Sequence, residues 1–174
     1  ALDDLLPAIL ASEPSLSKLL ARVEFDTPVR EIVGYSANVN SLTGHHFALL
    51  GYAGEFLDPV FSSGVTIALK STSLCVPLLH RQLQGGSVDW QSEYEVPLRR
   101  GIKVFRAYVE AWYEGSFQDV VFAVKPQDEV KSMVCSLLAG YAWDESNPMN
   151  NNSVKRLATL AEICRDDRAQ DAQG

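Results

Sequence analysis

The sequence predicts an α+β protein that is predominantly helical, with a few strands followed by a long helical region. Two short apolar runs bounded by turn residues lie in the first third of the chain, and such runs are typical of strands. From residue 63 onward, apolar residues recur at spacings of three and four, which is the period of a helix. The chain has 174 residues, 47% of them hydrophobic, so it is long enough for one domain with a substantial core.

We divide this single region, residues 1–174, into three parts. Residues 1–65 carry the strands and a connecting loop, residues 66–165 form the helical region, and residues 166–174 are a polar tail that we expect to fray. No internal repeat marks a second domain.

The first part opens with two short helical patterns. They span residues 3–11 and 15–23 and are separated by Pro14, with Ser15 as a candidate cap of the second. Two strands are then predicted, "VREIVGYS" at 29–36 and "HFALLG" at 46–51. The second run is almost wholly apolar, which favours a strand buried on both faces.

Four helices are predicted from residue 63 onward. The first begins at Ser63, and its apolar spacing is carried by Val65, Leu69, Thr72, Val76 and Leu79. The second runs from about Trp90 to Glu114, with a stripe formed by Leu98, Ile102, Phe105, Val109 and Trp112. The segment "SFQDVVFAV" that follows is ambiguous. The last two helices are expected from Pro126 to Leu138, where Gly140 ends the helix, and from Ser153 to about Arg165.

Composition excludes several classes of function. The formal charge of −7 and the pI of about 4.9 argue against binding to a nucleic-acid backbone, which needs clustered Lys and Arg. No apolar run reaches the length of a membrane span. The three cysteines show no CxxC spacing, so we expect free thiols and a cytoplasmic protein. The helical opening without an initiator Met suggests a piece of a longer protein.

The loop "GYAGEFLDPVFSSGV", residues 51–65, is the most informative stretch. Ser62 and Ser63 are residue types that cap helices, and the N–H groups at a helix start carry partial positive charge. Gly64 has no Cβ, so a ligand can approach the backbone there. Asp58 and Pro59 stiffen the preceding turn. These residues therefore fit either an anion-binding or carbonyl-binding loop, or an ordinary strand–loop–helix corner with a serine cap.

This loop resembles the second flavin-contacting segment of FAD-dependent oxidoreductases of the aromatic-hydroxylase and flavin-dependent-halogenase superfamily. The string "DPVFSSGV" at 58–65 is closest to the halogenase-like branch. Similar stretches follow in "RRGIKVFRAYVEAWYEGSFQDVVFA" and "MVCSLLAGYAWD", and the resemblance covers most of the chain. It implies the C-terminal part of a two-domain FAD/NAD(P)-binding fold that uses reduced flavin and oxygen on an aromatic or unsaturated substrate.

The resemblance implies roles for matched positions only. Gly51 would close the strand beside the ribityl chain, and Asp58 with Pro59 would shape the loop near the isoalloxazine. Ser62, Ser63 and Gly64 would present backbone amides to the pyrimidine edge of FAD, or to a halide. No catalytic or metal-ligating residue is assigned in this chain.

Two positions depart from the family pattern. Tyr52 stands where the family has an Asp that binds the ribityl hydroxyls, and Glu55 stands where it has glycine. Both changes favour weak or lost FAD binding, unless the register is offset and Gly54 serves as the turn glycine. The alternative function is therefore a non-catalytic helical interaction module that has lost flavin.

The chain has no GxGxxG after a strand, so an upstream dinucleotide-binding domain of the same parent protein is an expected partner. The aromatic residues around Gly115 fit core packing or, as the family implies, an apolar wall for a substrate. They are Tyr108, Trp112, Tyr113, Phe117 and Phe122.

Overall fold

The computed structural model describes residues 2–24 and 26–172, and the contacts divide them into two units, one up to residue 35 and one from residue 36. The first unit holds α1 (Leu2–Ser12) and α2 (Pro14–Leu19), which pack on each other. Pro14 opens α2 rather than merely separating two helices. The cap of α2 is the Glu13 carboxylate, which accepts the Ser15 N–H at 3.3 Å, so the predicted Ser15 cap is wrong.

The strand predicted at 29–36 does not form. Residues 29–36 have no strand assignment, and Ile32 and Val33 are 77% and 80% exposed. A strand is stabilised by a hydrogen-bonded neighbour, and none of the described strands pairs with this run. The apolar residues of this run therefore do not mark a buried strand.

The second unit begins with two small antiparallel ladders. β1 (Ala37–Asn38) pairs with β4 (Glu55–Phe56), and β2 (Thr43–Gly44) pairs with β3 (Phe47–Ala48). The run predicted as a strand over 46–51 is thus reduced to β3. This strand is not buried on both faces. Phe47 belongs to a hairpin whose two strands are each two residues long, and its side chain is 53% exposed.

Five helices follow in the described part of the second unit. They are α3 (Ser63–Leu83), α4 (Val96–Tyr113), α5 (Ser116–Val121), α6 (Asp128–Leu138) and α7 (Ser153–Asp171). A π-helical turn over Gln91–Glu95 leads into α4, so the helix predicted from Trp90 is present but not regular throughout. The ambiguous segment after Gly115 is α5. The predominantly helical α+β class is confirmed.

The core is built around α4, as its stripe predicts. Leu98, Ile102 and Phe105 are at most 3% exposed. Phe117 of α5 and Leu157 of α7 complete the core on the far side and are also fully buried. Helix α4 ends at Tyr113, and Gly115 two residues later has a φ of +88°, a conformation that glycine adopts without strain.

Helix α3 turns its predicted stripe away from this core. Its inner face consists of Ile67, Ser71, Cys75 and Leu78, all buried. The opposite face, which we name the outer stripe, is exposed and consists of Val65, Leu69, Thr72, Val76, Leu79 and Leu83. The 3.6-residue period therefore identified the helix correctly, but most of the residues that carry it lie on the surface of this chain.

Helix α7 extends through the tail that was expected to fray. Arg165 and Arg168 both pair with Asp119 of α5, at 2.6 and 3.1 Å. These contacts hold the helix to Asp171, while residues 173–174 lie outside the described part. None of the described helices combines the length and the apolar content needed to cross a membrane. The three cysteines are free thiols, as expected.

Candidate functional site

The loop between β3 and α3 is built from short, tightly turned pieces. A 3-10 turn over Gly51–Ala53 leads into β4, and a second 3-10 turn over Pro59–Phe61 leads into α3. Three of the six candidate site residues, Ser62, Ser63 and Gly64, meet at the start of α3. The other three, Gly51, Asp58 and Pro59, shape the backbone that leads there.

Gly51 is the turn glycine of this loop. Its φ is +53°, and a Cβ on it would lie 3.1 Å from the Cβ of Ala68 on α3. Its N–H donates to Ser71 Oγ at 3.0 Å, and that hydroxyl in turn donates to Ala68 O at 2.8 Å. Gly54, the alternative turn glycine, has a φ of −96° and lies against Leu42. Of these two glycines, Gly51 is the one with a positive φ.

Asp58 and Pro59 form the rigid turn that their sequence predicts. The Asp58 Oδ1 accepts the Val60 N–H at 2.8 Å, and Pro59 occupies the first position of the 3-10 turn, where its lack of an N–H costs nothing. The Tyr113 hydroxyl at the end of α4 donates to Asp58 Oδ2 at 3.0 Å. This long-range contact ties the loop to the helical core, and sequence spacing gave no sign of it.

The start of α3 is not capped by a side chain. Ser62 occupies the N-cap position with a φ of +51°, a left-handed conformation that is uncommon outside glycine, and its side chain makes no capping hydrogen bond. Ser63 is 3% exposed, and Gly64 is also buried. The serine cap of an ordinary corner is thus missing, and the amides at this end of a 21-residue helix are left without a side-chain acceptor from Ser62.

The side chain of Tyr52 lies over Gly64. A Cβ on Gly64 would overlap the Tyr52 ring and hydroxyl. The ring rests on Phe56, with ring centroids 4.6 Å apart, yet Tyr52 remains 57% exposed. The Tyr52 side chain therefore fills the space beside Gly64 at the start of α3. It does so from the surface, where it remains in contact with solvent.

Glu55 does not face that space. It is 2% exposed and forms an ion pair with Arg106 of α4. Burial raises the pKa of its carboxyl group, and the Arg106 guanidinium opposes that shift. The sequence suggested an added negative charge beside the loop, but the carboxylate is turned inward and serves the packing of β4 on α4.

The aromatic residues around Gly115 join the loop to the core. Phe61 contacts Trp112 and Phe117 edge-on, with ring centroids 5.8 and 5.5 Å apart. Tyr108 and Phe117 are fully buried, whereas Tyr113 and Phe122 are 67% and 65% exposed. The buried members are core residues, whereas Tyr113 and Phe122 lie at the surface. Within the described part of the chain, no group of three or more His, Cys, Asp or Glu is placed to hold a metal ion.

Comparison with solved structures identifies a close structural neighbour. A flavoprotein/dehydrogenase from Cytophaga hutchinsonii superposes on 96% of this chain with a TM-score of 0.86 and 36% sequence identity. The match covers 41% of that neighbour. The fold of the described units is therefore that of one part of a larger flavoprotein.

Comparison with curated proteins gives the same result. A 1H-pyrrole-2-carbonyl-[peptidyl-carrier protein] chlorinase from Pseudomonas fluorescens is 28% identical over 58% of this chain and 23% of its own length. A flavin-dependent halogenase from Penicillium aethiopicum is 32% identical over 46% of this chain and 15% of its own length. A sulochrin halogenase from Aspergillus terreus is 42% identical over 34% of this chain and 11% of its own length. No family model matches.

The chain thus spans a quarter or less of the length of these curated relatives. These similarities do not favour the alternative of a non-catalytic helical interaction module that has lost flavin binding. In sequence and in fold, this chain is a relative of flavin-dependent halogenases and of a flavoprotein/dehydrogenase, and it corresponds to part of such a protein.

Proposed function

We propose that this chain is the C-terminal part of a cytoplasmic FAD-dependent oxidoreductase of the halogenase or monooxygenase type. It supplies the loop that faces the flavin and a helical cover on the substrate side. An upstream dinucleotide-binding domain of the same protein holds the rest of the cofactor, and the substrate is an aromatic or unsaturated small molecule. The names of the curated relatives favour halogenation.

The uncapped start of α3 is the observation that carries this proposal. Ser62, Ser63 and Gly64 present backbone amides at a helix N-terminus, an environment that favours a carbonyl oxygen or an anion. Gly51 and Ser71 hold the preceding turn against α3. Bound FAD supplies redox chemistry with oxygen. The residues of this chain contribute position and electrostatic field, and none of them is assigned a catalytic step.

The loop fits FAD on one condition, which concerns Tyr52. Its ring occupies the space beside Gly64 that a ligand would need. Tyr52 is more than half exposed, so a rotation about its side-chain bonds carries the ring into solvent and costs mainly the contact with Phe56. Flavin binding therefore competes with the Tyr52 ring for Gly64.

A double-mutant cycle in the intact parent protein tests this role. Gly64→Ala alone is ambiguous because the added methyl group collides with Tyr52 as well as with a ligand. In a Tyr52→Ala background the three nearest atoms to the added methyl group, all of them in the Tyr52 side chain, are gone. We expect Gly64→Ala to leave the melting temperature unchanged in that background and to weaken FAD binding at least about tenfold, or about 1.4 kcal/mol.

Flavin fluorescence titration and thermal melting give the two readouts. Glu162→Ala on the exposed face of α7 is the matched control and should change neither. If Gly64→Ala in the Tyr52→Ala background left FAD affinity unchanged, Gly64 would be a packing glycine and the proposed role of this loop would be wrong.

A further inference from the structure

The outer stripe of α3 has no packing partner among the described residues of the second unit. Val65, Leu69, Val76 and Leu83 are 70%, 68%, 55% and 75% exposed. At 100° per residue, the six positions of the stripe fall within an arc of about 80°, and they run for about 27 Å along the helix. The stripe is therefore one continuous apolar face rather than a set of scattered surface residues.

The composition of α3 shows that this face is unusual for a surface helix. From residue 63 to residue 83 the helix has no Asp or Glu, and its basic side chains, Lys70, His80 and Arg81, lie off the stripe. The inner face, around Ile67 and Leu78, is already buried. A helix that is apolar on two opposite sides is typical of a helix packed between two layers. Within the second unit, only the layer against the inner face is present in the described residues.

We propose that the outer stripe is the docking face for the dinucleotide-binding part of the same parent polypeptide. More than half of the structural neighbour, and more than three quarters of each curated relative named above, lies outside the match to this chain. In such a protein, the part outside the match could provide the second layer that packs on α3. An uncharged face of this length requires an apolar, tightly packed counterpart such as a sheet or helix surface, not a polar or nucleic-acid partner.

The position of the stripe gives the docking a functional consequence, and this step rests on the proposed function. Val65 follows directly on Gly64 at the start of α3, and Leu69 lies about one helical turn further on the same face. A domain packed on the stripe would reach the candidate flavin loop and supply the wall opposite it. Docking and FAD binding would then stabilise each other, because each orders the surface that the other uses.

Cysteine accessibility in the intact parent protein tests the docking. Cys135 and Cys164 are first replaced by Ser, while the buried Cys75 is kept. Val76→Cys then places a thiol on the stripe, and Thr72→Cys is a milder second position on the same face. Glu162→Cys on α7 is the exposed control. We expect maleimide to modify both stripe variants at least about tenfold more slowly than the control in the folded protein, and all three at similar rates in urea.

Each outcome decides between occupants. Slow labelling in a monomeric protein supports docking within one polypeptide. Labelling at the control rate overturns it. Slow labelling in a dimer whose protection is lost on dilution also overturns it, in favour of a second copy of the protein. If the stripe is protected from maleimide in a preparation without flavin, docking is supported even though the flavin proposal fails. If FAD is bound but the stripe is not protected, the flavin proposal is supported and docking is rejected.

Discussion

The Tyr52 ring packs on the backbone of Gly64 at the start of α3, and this contact decides whether a ligand can reach that backbone. Glycine is required there for the phenol to rest on the backbone, so its presence alone does not prove a ligand. The uncapped helix start beside it is harder to explain by packing, because a serine stands at the cap position without forming the cap.

Removing the ring tests whether Tyr52 opposes the cofactor. We expect Tyr52→Ala in the parent protein to tighten FAD binding about threefold or more, because the ring no longer has to leave the space beside Gly64. Tyr52→Phe keeps the ring and should leave the affinity near that of the parent. Weaker binding in Tyr52→Ala would mean that the ring contacts the flavin rather than competing with it.

A buried carboxylate at the entrance to α4 gives a pH-dependent prediction. Glu95 accepts from Arg99 at 2.8 Å and from the Leu42 N–H at 3.0 Å. Burial alone would raise its pKa, but these hydrogen bonds outweigh burial and hold the pKa below its ordinary value of 4.5. The contact therefore stabilises the fold above that value, and the stabilisation is lost as the pH falls through the depressed folded pKa.

We expect Glu95→Ala to lower the free energy of unfolding by about 3 kcal/mol at pH 7, because Arg99 and the Leu42 amide lose their acceptor. In Glu95→Gln, stability should fall less steeply between about pH 5 and pH 3 than in the unmodified chain, since the titrating group is gone. Urea denaturation at several pH values measures both. Parallel pH profiles for the unmodified chain and Glu95→Gln would show that this carboxylate does not set the acid dependence.

At the scale of elements, sequence periodicity found the helices but did not assign their faces. In the predicted stripe of α4, Leu98, Ile102 and Phe105 are buried, and Val109 and Trp112 are half-buried. The stripe of α3, with the same spacing, is exposed. Periodicity reports which residues share a face, and only a packing partner decides whether that face is inside. The predicted strand at 29–36 is wrong for the same reason. This apolar run has no neighbouring strand in the described residues.

Helix α7 offers a prediction about an element boundary. Charge pairing with Asp119 carries this helix past the predicted end near Arg165. Asp119→Asn should cost no more than about 1 kcal/mol, because both arginines are about half exposed. It should nevertheless speed amide exchange over residues 165–171. Unchanged exchange there would mean that helix propensity alone holds these last two turns.

At the scale of the whole molecule, the loop could be predicted in outline but not in its contacts. The residues of the Asp58–Pro59 turn and the helix start after it were identified from their types and spacing. The Ser71 contact to Gly51, the Tyr113 contact to Asp58 and the inward turn of Glu55 all join residues 20 to 55 positions apart. Local sequence carries no signal for such pairs, so the effect of Tyr52 and Glu55 on a ligand could not be judged without the fold.

The visible spectrum of the intact parent protein, recorded after gel filtration, tests the central claim most directly. The loop at the start of α3 is proposed to hold FAD together with the rest of that polypeptide. We expect a flavin absorbance band that travels with the protein, or that appears and stays with it after FAD is added. A folded, monodisperse protein that releases all flavin on the column would contradict the account, and Tyr52 would then be a permanent occupant of the space beside Gly64.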